Sequence, residues 1–155
     1  MRTLKQIDRQ IAAIDVELPS ILDADEALKA RFDILISLPG FGDVTAMAII
    51  AEMPELGIIE NKAVASLAGL APIARDSGAY RGKRFIHGGR ADLRQALNMP
   101  APVAARHNAS MRAKYQAFIE AGKPPKVALT AIMRKLLILA NALVRDARTW
   151  TPTLA

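Results

Sequence analysis

At 155 residues, 52% of them apolar, 5% aromatic and none cysteine, the chain has the size of one domain or of one domain with an appended helix, and it excludes disulfides and thiolate metal sites, as suits a reducing, cytoplasmic compartment. No secretion-type apolar run opens the chain, and no uninterrupted apolar stretch reaches the roughly 18 residues of a membrane span, so neither a leader nor membrane insertion is expected. The formal net charge of +6 is unevenly held, with 5 basic and 11 acidic side chains in residues 1–60 against 16 and 4 in residues 61–155, so the second part points to a polyanionic partner, nucleic acid first.

In chain order, residues 4–36 read as helix. Leu4, Ile7, Ile11, Ile14, Leu18, Ile21, Leu22 and Leu28 recur at steps of three and four with charges between them. Pro19 is expected to kink or divide this segment. Leu4, Ile11 and Leu18, and again Ile7, Ile14 and Ile21, stand seven apart, a short seam compatible with a coiled coil. Asp8, Asp15, Asp23 and Asp33 read as the wet face of this helix. Leu38-Pro39-Gly40-Phe41-Gly42 breaks it, and Asp43 is the expected cap of a compact helix over Val44–Glu52. Pro54 and Gly57 close that helix. A further short helix is predicted over residues 61–68 with Asn61 as cap.

From Gly69 to Arg94 the chain is rich in glycine and carries Arg75, Arg81, Lys83, Arg84, Arg90 and Arg94. Glycine costs about 1 kcal/mol relative to alanine inside a helix, and this much charge is not buried cheaply, so an exposed basic loop is expected. Ala91–Leu97 should be helical, with Pro100 and Pro102 interrupting any continuation. Ser110–Ala121 is amphipathic, with Met111, Tyr115 and Phe118 on one face. Gly122, Pro124 and Pro125 break the chain again before a long helix over Val127–Ala147, with Arg134, Lys135, Arg145 and Arg148 at polar positions. The fold class is all-α: a coiled-coil-like helix followed by a helical domain.

Two motifs could carry chemistry. In the helix–LPGFG–helix stretch at 34–52, Gly40 and Gly42 permit a tight turn whose N–H groups, with the helix start after Asp43, would accept an anion. It resembles the helix-hairpin-helix of many DNA-binding proteins; the simpler reading is a plain turn between helices, and Asp43 favours it. The second motif is Ser77, beside Gly78. A serine hydroxyl needs its proton removed or its attack geometry enforced, and Arg75, Arg81, Lys83, Arg84 and Arg90 could hold a scissile phosphate and offset the charge of its transition state. The simpler reading is a solvated turn serine. The Gly-x-Ser-x-Gly elbow is absent, which argues against an α/β-hydrolase. His87 and His107 read as structural or solvent-facing, and no acidic residues gather as a metal site.

The ordered series LPGFGDVTAMAIIAE, LAGLAP, DSG, HGGRADLRQAL, ARHN and AGKPPKVALTAIMRKLLILANAL resembles the C-terminal part of insertion-sequence transposases of the one-ten type, over about Leu35–Arg145. The resemblance implies a linking coiled-coil helix over 1–33, a transposase domain over 34–149 with a helix-hairpin-helix at 34–52, and a tail over 150–155. It implies a serine-using, RNA-guided DNA recombinase in which Ser77 attacks DNA and forms a phosphoserine link. Arg75, Arg81, Lys83, Arg84, Arg90 and Arg94, with Gly40 and Gly42, would contact DNA or guide RNA. Mg²⁺ is expected in an N-terminal RuvC-like domain that this chain lacks, so the chain itself is expected to hold no cofactor and to be inactive alone. Self-association through the first helix is expected, and a nucleoid-associated location follows when DNA is bound. The series departs from the family's usual pattern at Pro100 and Pro102, at Asn98 where an aromatic is common, and at Ala109 where proline is common. The alternative from another class is a non-catalytic nucleic-acid-binding module that needs the hairpin and the basic region but not Ser77.

Overall fold

Helix α1 (Arg2–Ala24) runs through Pro19, and the division of the long N-terminal segment falls at Asp25 instead. The computed structural model describes residues 2–152. Asp25 Oδ1 accepts hydrogen bonds from the N–H groups of Ala27 (2.9 Å) and Leu28 (3.0 Å), capping α2 (Glu26–Ile36). The boundary thus lies at this cap, and α1 continues through Pro19 without a break. Helix α1 packs on α2, yet Leu4, Ile7, Ile11, Ile14 and Ile21 remain exposed along it.

After the turn at 37–42, α3 (Asp43–Glu52) starts one residue earlier than the sequence suggests. Gly42 occupies its N-cap with no side-chain bond, and Asp43 is the first helical residue, where its charge still complements the helix dipole. In α4 (Asn61–Leu67) the cap position is Glu60 rather than Asn61. The two expected caps fail for one reason: each polar side chain lies inside the first turn, where it cannot reach the N–H groups two or three residues ahead.

Helices α5 (Ala91–Ala96), α6 (Pro100–His107) and α7 (Ala109–Glu120) follow. The prolines do break the chain after α5, but they also open α6. Pro100 sits at its first position, where no intrahelical N–H is required and the fixed φ suits a helix. Asn108 closes α6 and caps α7, its Oδ1 accepting the Met111 N–H at 2.9 Å.

The last helix, α8 (Pro125–Arg145), is the spine. Ala128, Ile132, Met133, Leu136, Leu137, Ala140 and Leu143 form its buried face, packed against α2, α4, α6 and α7. It is long and apolar enough to cross a membrane by length and composition alone, but this apolar face is the centre of the core. Leu35, Ile49, Met53, Leu93 and Leu97 complete that core from α2, α3, the turn after it, and α5. Among the described residues the polar side chain wholly buried there is Asn141. The Asn141 amide donates to Ile59 O (3.0 Å) and Asn61 Oδ1 (3.1 Å) and accepts from Gly57 N–H (2.7 Å), fastening the loop between α3 and α4 to the spine. From the other side, Arg31 of α2 donates to the Pro54 carbonyl at 3.1 Å.

Candidate nucleic-acid interface

The glycine-rich stretch between α4 and α5 is not a free loop. Strands β1 (Pro72–Ile73) and β4 (Phe85–Ile86) pair antiparallel, and inside them β2 (Asp76–Ser77) pairs with β3 (Tyr80–Arg81). The result is one two-tier hairpin, an arm closed by the turn Gly78–Ala79. The register sets Ser77 opposite Tyr80 and Asp76 opposite Arg81. All residues from Pro72 to Gly89 except the half-buried Gly82 are exposed, so Ser77 stands in solvent next to the turn, its hydroxyl without a hydrogen bond to any described residue.

Arg75, Arg81, Lys83 and Arg84 are carried on this arm, and none has an ion-pair partner among the described residues. The Arg75 guanidinium lies over the Phe85 ring, 5.6 Å from its centroid, a cation–π contact that stiffens the middle of the arm. These four sequence-nominated cations share one exposed element with Ser77.

Arg90 and Arg94 are placed differently. Both stand at the base of the arm and are turned inward. Arg90 donates to the Glu52 carbonyl at 2.6 Å and pairs with Glu55 Oε1 at 2.6 Å. The hydrogen bond from Arg90 holds the Glu55 carboxyl below its ordinary range, and the same bond raises Arg90. Arg94 donates to Ala68 O (3.2 Å) and to Gly88 O, while the Arg90 N–H donates to Leu67 O at 2.8 Å. Between these braces the two strands of the chain cross backbone to backbone at Gly69 (φ +64°) and Gly89 (φ +64°), where a Cβ on either would overlap the opposite main chain. Arg90 and Arg94 therefore fix the root from which the arm projects.

The turn between α2 and α3 divides its two glycines. Gly40 has φ +85°, and a Cβ there would meet Pro100 O at 2.7 Å and Val103 Cβ at 3.2 Å. Helix α6 packs against the Cβ side of Gly40, a turn–helix contact that leaves no room for a side chain there. Gly42 is exposed, with open space beside it, but the first-turn Asp43 shares that solvent-facing rim and repels an approaching phosphate.

Sequence reasoning passed over Tyr80, which is 70% exposed across the register from Ser77. The signal was available, since a glycine-led two-residue turn places its flanking residues opposite each other. His87 lies on the exposed base of the arm and His107 ends α6, and neither is hydrogen-bonded to Ser77. Among the described residues no three His, Asp or Glu side chains converge where a metal could be held.

The family model described as Transposase IS116/IS110/IS902 family matches residues 32–116, from within α2 to within α7, the whole arm included. The chain is also similar to the pilin gene-inverting protein of Moraxella bovis, at 31% identity over 147 residues, covering 89% of this chain and 44% of that protein. Similarity extends to the insertion element IS900 uncharacterized 42 kDa protein of Mycobacterium paratuberculosis, at 30% identity, covering 95% of this chain and 38% of that protein. The insertion element IS116 uncharacterized 44.8 kDa protein of Streptomyces clavuligerus gives 30% identity, with 96% and 37% covered. The chain thus spans less than half the length of each of these relatives.

Proposed function

The chain belongs to the IS116/IS110/IS902 transposase family, and from that premise we propose that it is the DNA-gripping and strand-joining portion of a recombinase, with Ser77 as nucleophile. The observation that carries this reading is the position of Ser77, exposed beside the turn of an arm that bears four cations without carboxylate partners among the described residues.

The chemistry is a transesterification. Ser77 Oγ bonds to the phosphorus of a DNA phosphodiester, the bond from phosphorus to one strand's oxygen breaks, and that oxygen leaves as a hydroxyl carrying the proton the serine gave up. One phosphate ester is exchanged for another, so the bond energy is retained and the reverse attack by a different strand end rejoins the DNA. Arg75, Arg81, Lys83 and Arg84 supply the positive charge such a transition state needs, and Arg90 and Arg94 hold the arm's root in place.

Partners follow from the same reading: DNA, a guide RNA, and a second copy of this chain through the exposed seam of α1. In this reading Mg²⁺ would be held by residues outside this chain, and no step here passes through it.

The test is capture of a denaturant-resistant protein–DNA species, with the chain alone and with the remaining segment of a longer relative supplied. Ser77→Ala is expected to abolish the adduct and leave DNA affinity within about twofold, since the residue is exposed and makes no contact that folding needs. An adduct that survives Ser77→Ala ends the assignment. DNA binding without any adduct in the wild-type chain favours the non-catalytic module, for which the same free cations would suffice.

A further inference from the structure

Away from the arm, the junction of α6 and α7 forms a groove with α8 and the chain end, about 670 Å³ in volume. Its lining includes His107, Ser110, Lys114, Lys135, Leu139 and Trp150, and it shares no residue with the arm. Among the described residues no carboxylate lines it, and neither Lys114 nor Lys135 has an ion-pair or hydrogen-bond partner there. Trp150 is half-buried against the core, and its backbone N–H is held by Ser37 Oγ at 2.8 Å, which anchors its main chain beside the groove.

Two ammonium groups near each other, one of them half-buried and neither with a counterion among the described residues, disfavour each other's charge unless an anion joins them. The walls beside them are aliphatic and aromatic. An anion that also carries a flat apolar group satisfies both features.

The geometry points to a second nucleic-acid site: this groove takes one nucleotide of a single strand, its phosphate on Lys114 and Lys135 and its base against Trp150. A single strand is required, because a paired base cannot offer its face to an indole, whereas stacking of an unpaired base contributes about 1–3 kcal/mol with little sequence preference. The state of Lys135 agrees. Partial burial first, then the charges of Lys114 and Arg134, hold its ammonium below the ordinary lysine range, the condition that an incoming phosphate relieves. The choice of a nucleotide rests on the recombinase reading above, but Ser77 and the arm play no part in the groove.

Trp150 is the only tryptophan in the chain, so its fluorescence reports this groove. The full chain is titrated at low salt with a short oligothymidylate and, separately, with inorganic phosphate, while the anisotropy of a labelled oligothymidylate measures total binding. The oligonucleotide is expected to quench Trp150 saturably, and phosphate to do so far more weakly. Lys114→Glu, at an exposed position where folding is not at stake, should weaken the quenching curve roughly tenfold. Lys135→Met, which keeps the stem volume, should do the same with unchanged helical circular dichroism. Replacing Arg81, Lys83 and Arg84 together by alanine should reduce total binding and leave the quenching curve in place.

Oligonucleotide binding without quenching, or quenching indifferent to both lysine changes, overturns the groove while leaving the arm's role intact. Phosphate acting as well as the oligonucleotide reduces the groove to a simple anion site and overturns the nucleotide. No binding of the oligonucleotide by either measurement overturns this proposal together with the nucleic-acid reading it rests on.

Discussion

A guanidinium can neutralise a phosphate or brace a backbone, and the arginines of the 69–94 stretch divide between these tasks. Arg81 and Arg84 have no ion-pair partner among the described residues, whereas Arg90 and Arg94 are taken up by Glu52, Glu55, Ala68 and Gly88. Arg90→Ala should therefore lower stability by about 1–2 kcal/mol in urea unfolding, where loss of a free arm arginine would leave the midpoint unchanged. The paired carboxylate gives a pH signature. Glu55 is lowered by the hydrogen bond from Arg90, so its contribution is present above the unfolded-state value of about 4.3 and disappears as pH falls through the lower folded value. Between pH about 6 and pH about 3 the wild-type chain should lose more stability than Glu55→Gln, which has no such carboxyl to protonate. In the sequence all six basic residues of this stretch look alike, because charge is visible there and a partner 38 positions upstream is not.

At the scale of elements, α8 joins the parts of the fold through one polar side chain. Asn141 satisfies Gly57 N–H, Ile59 O and Asn61 Oδ1 from a fully buried position. Asn141→Leu matches the apolar pattern around it, yet it strands those groups and should destabilise by about 1–3 kcal/mol, read as a lowered urea midpoint with DNA affinity unchanged below the transition. The helix–turn–helix order of α2 and α3 was legible from LPGFG between two apolar periods. That Gly40 faces α6 was not, because the residues that cover it lie 60 positions and more along the chain. The arm was legible as exposed and basic. The outer pairing of β1 with β4 was hidden because two-residue strands give no period-two pattern to detect.

For the whole molecule, the acidic first part and the basic second part do not neutralise each other across an extensive set of ion pairs. Among the described residues the longer-range pair is Glu55–Arg90, and the others lie within six residues of one another. The basic surface thus remains available. If Arg75, Arg81, Lys83 and Arg84 on the arm and Lys114 and Lys135 in the groove all meet phosphates, about six counterion-releasing contacts should cost roughly 10³-fold in affinity between 50 and 200 mM salt. Lys83→Ala should reduce the salt slope by about one; a binding constant flat in salt would show that this charge serves another purpose. By itself the sequence determined the helical class, the position of most helices, the exposed basic stretch and the family, because periodicity, turn residues and an ordered motif series are properties of neighbours along the chain. Which arginines brace the backbone, which glycine is covered, and that Lys114, Lys135 and Trp150 share one groove were decided by tertiary structure alone, because each depends on distant segments that only packing around α8 and closure of the arm bring together.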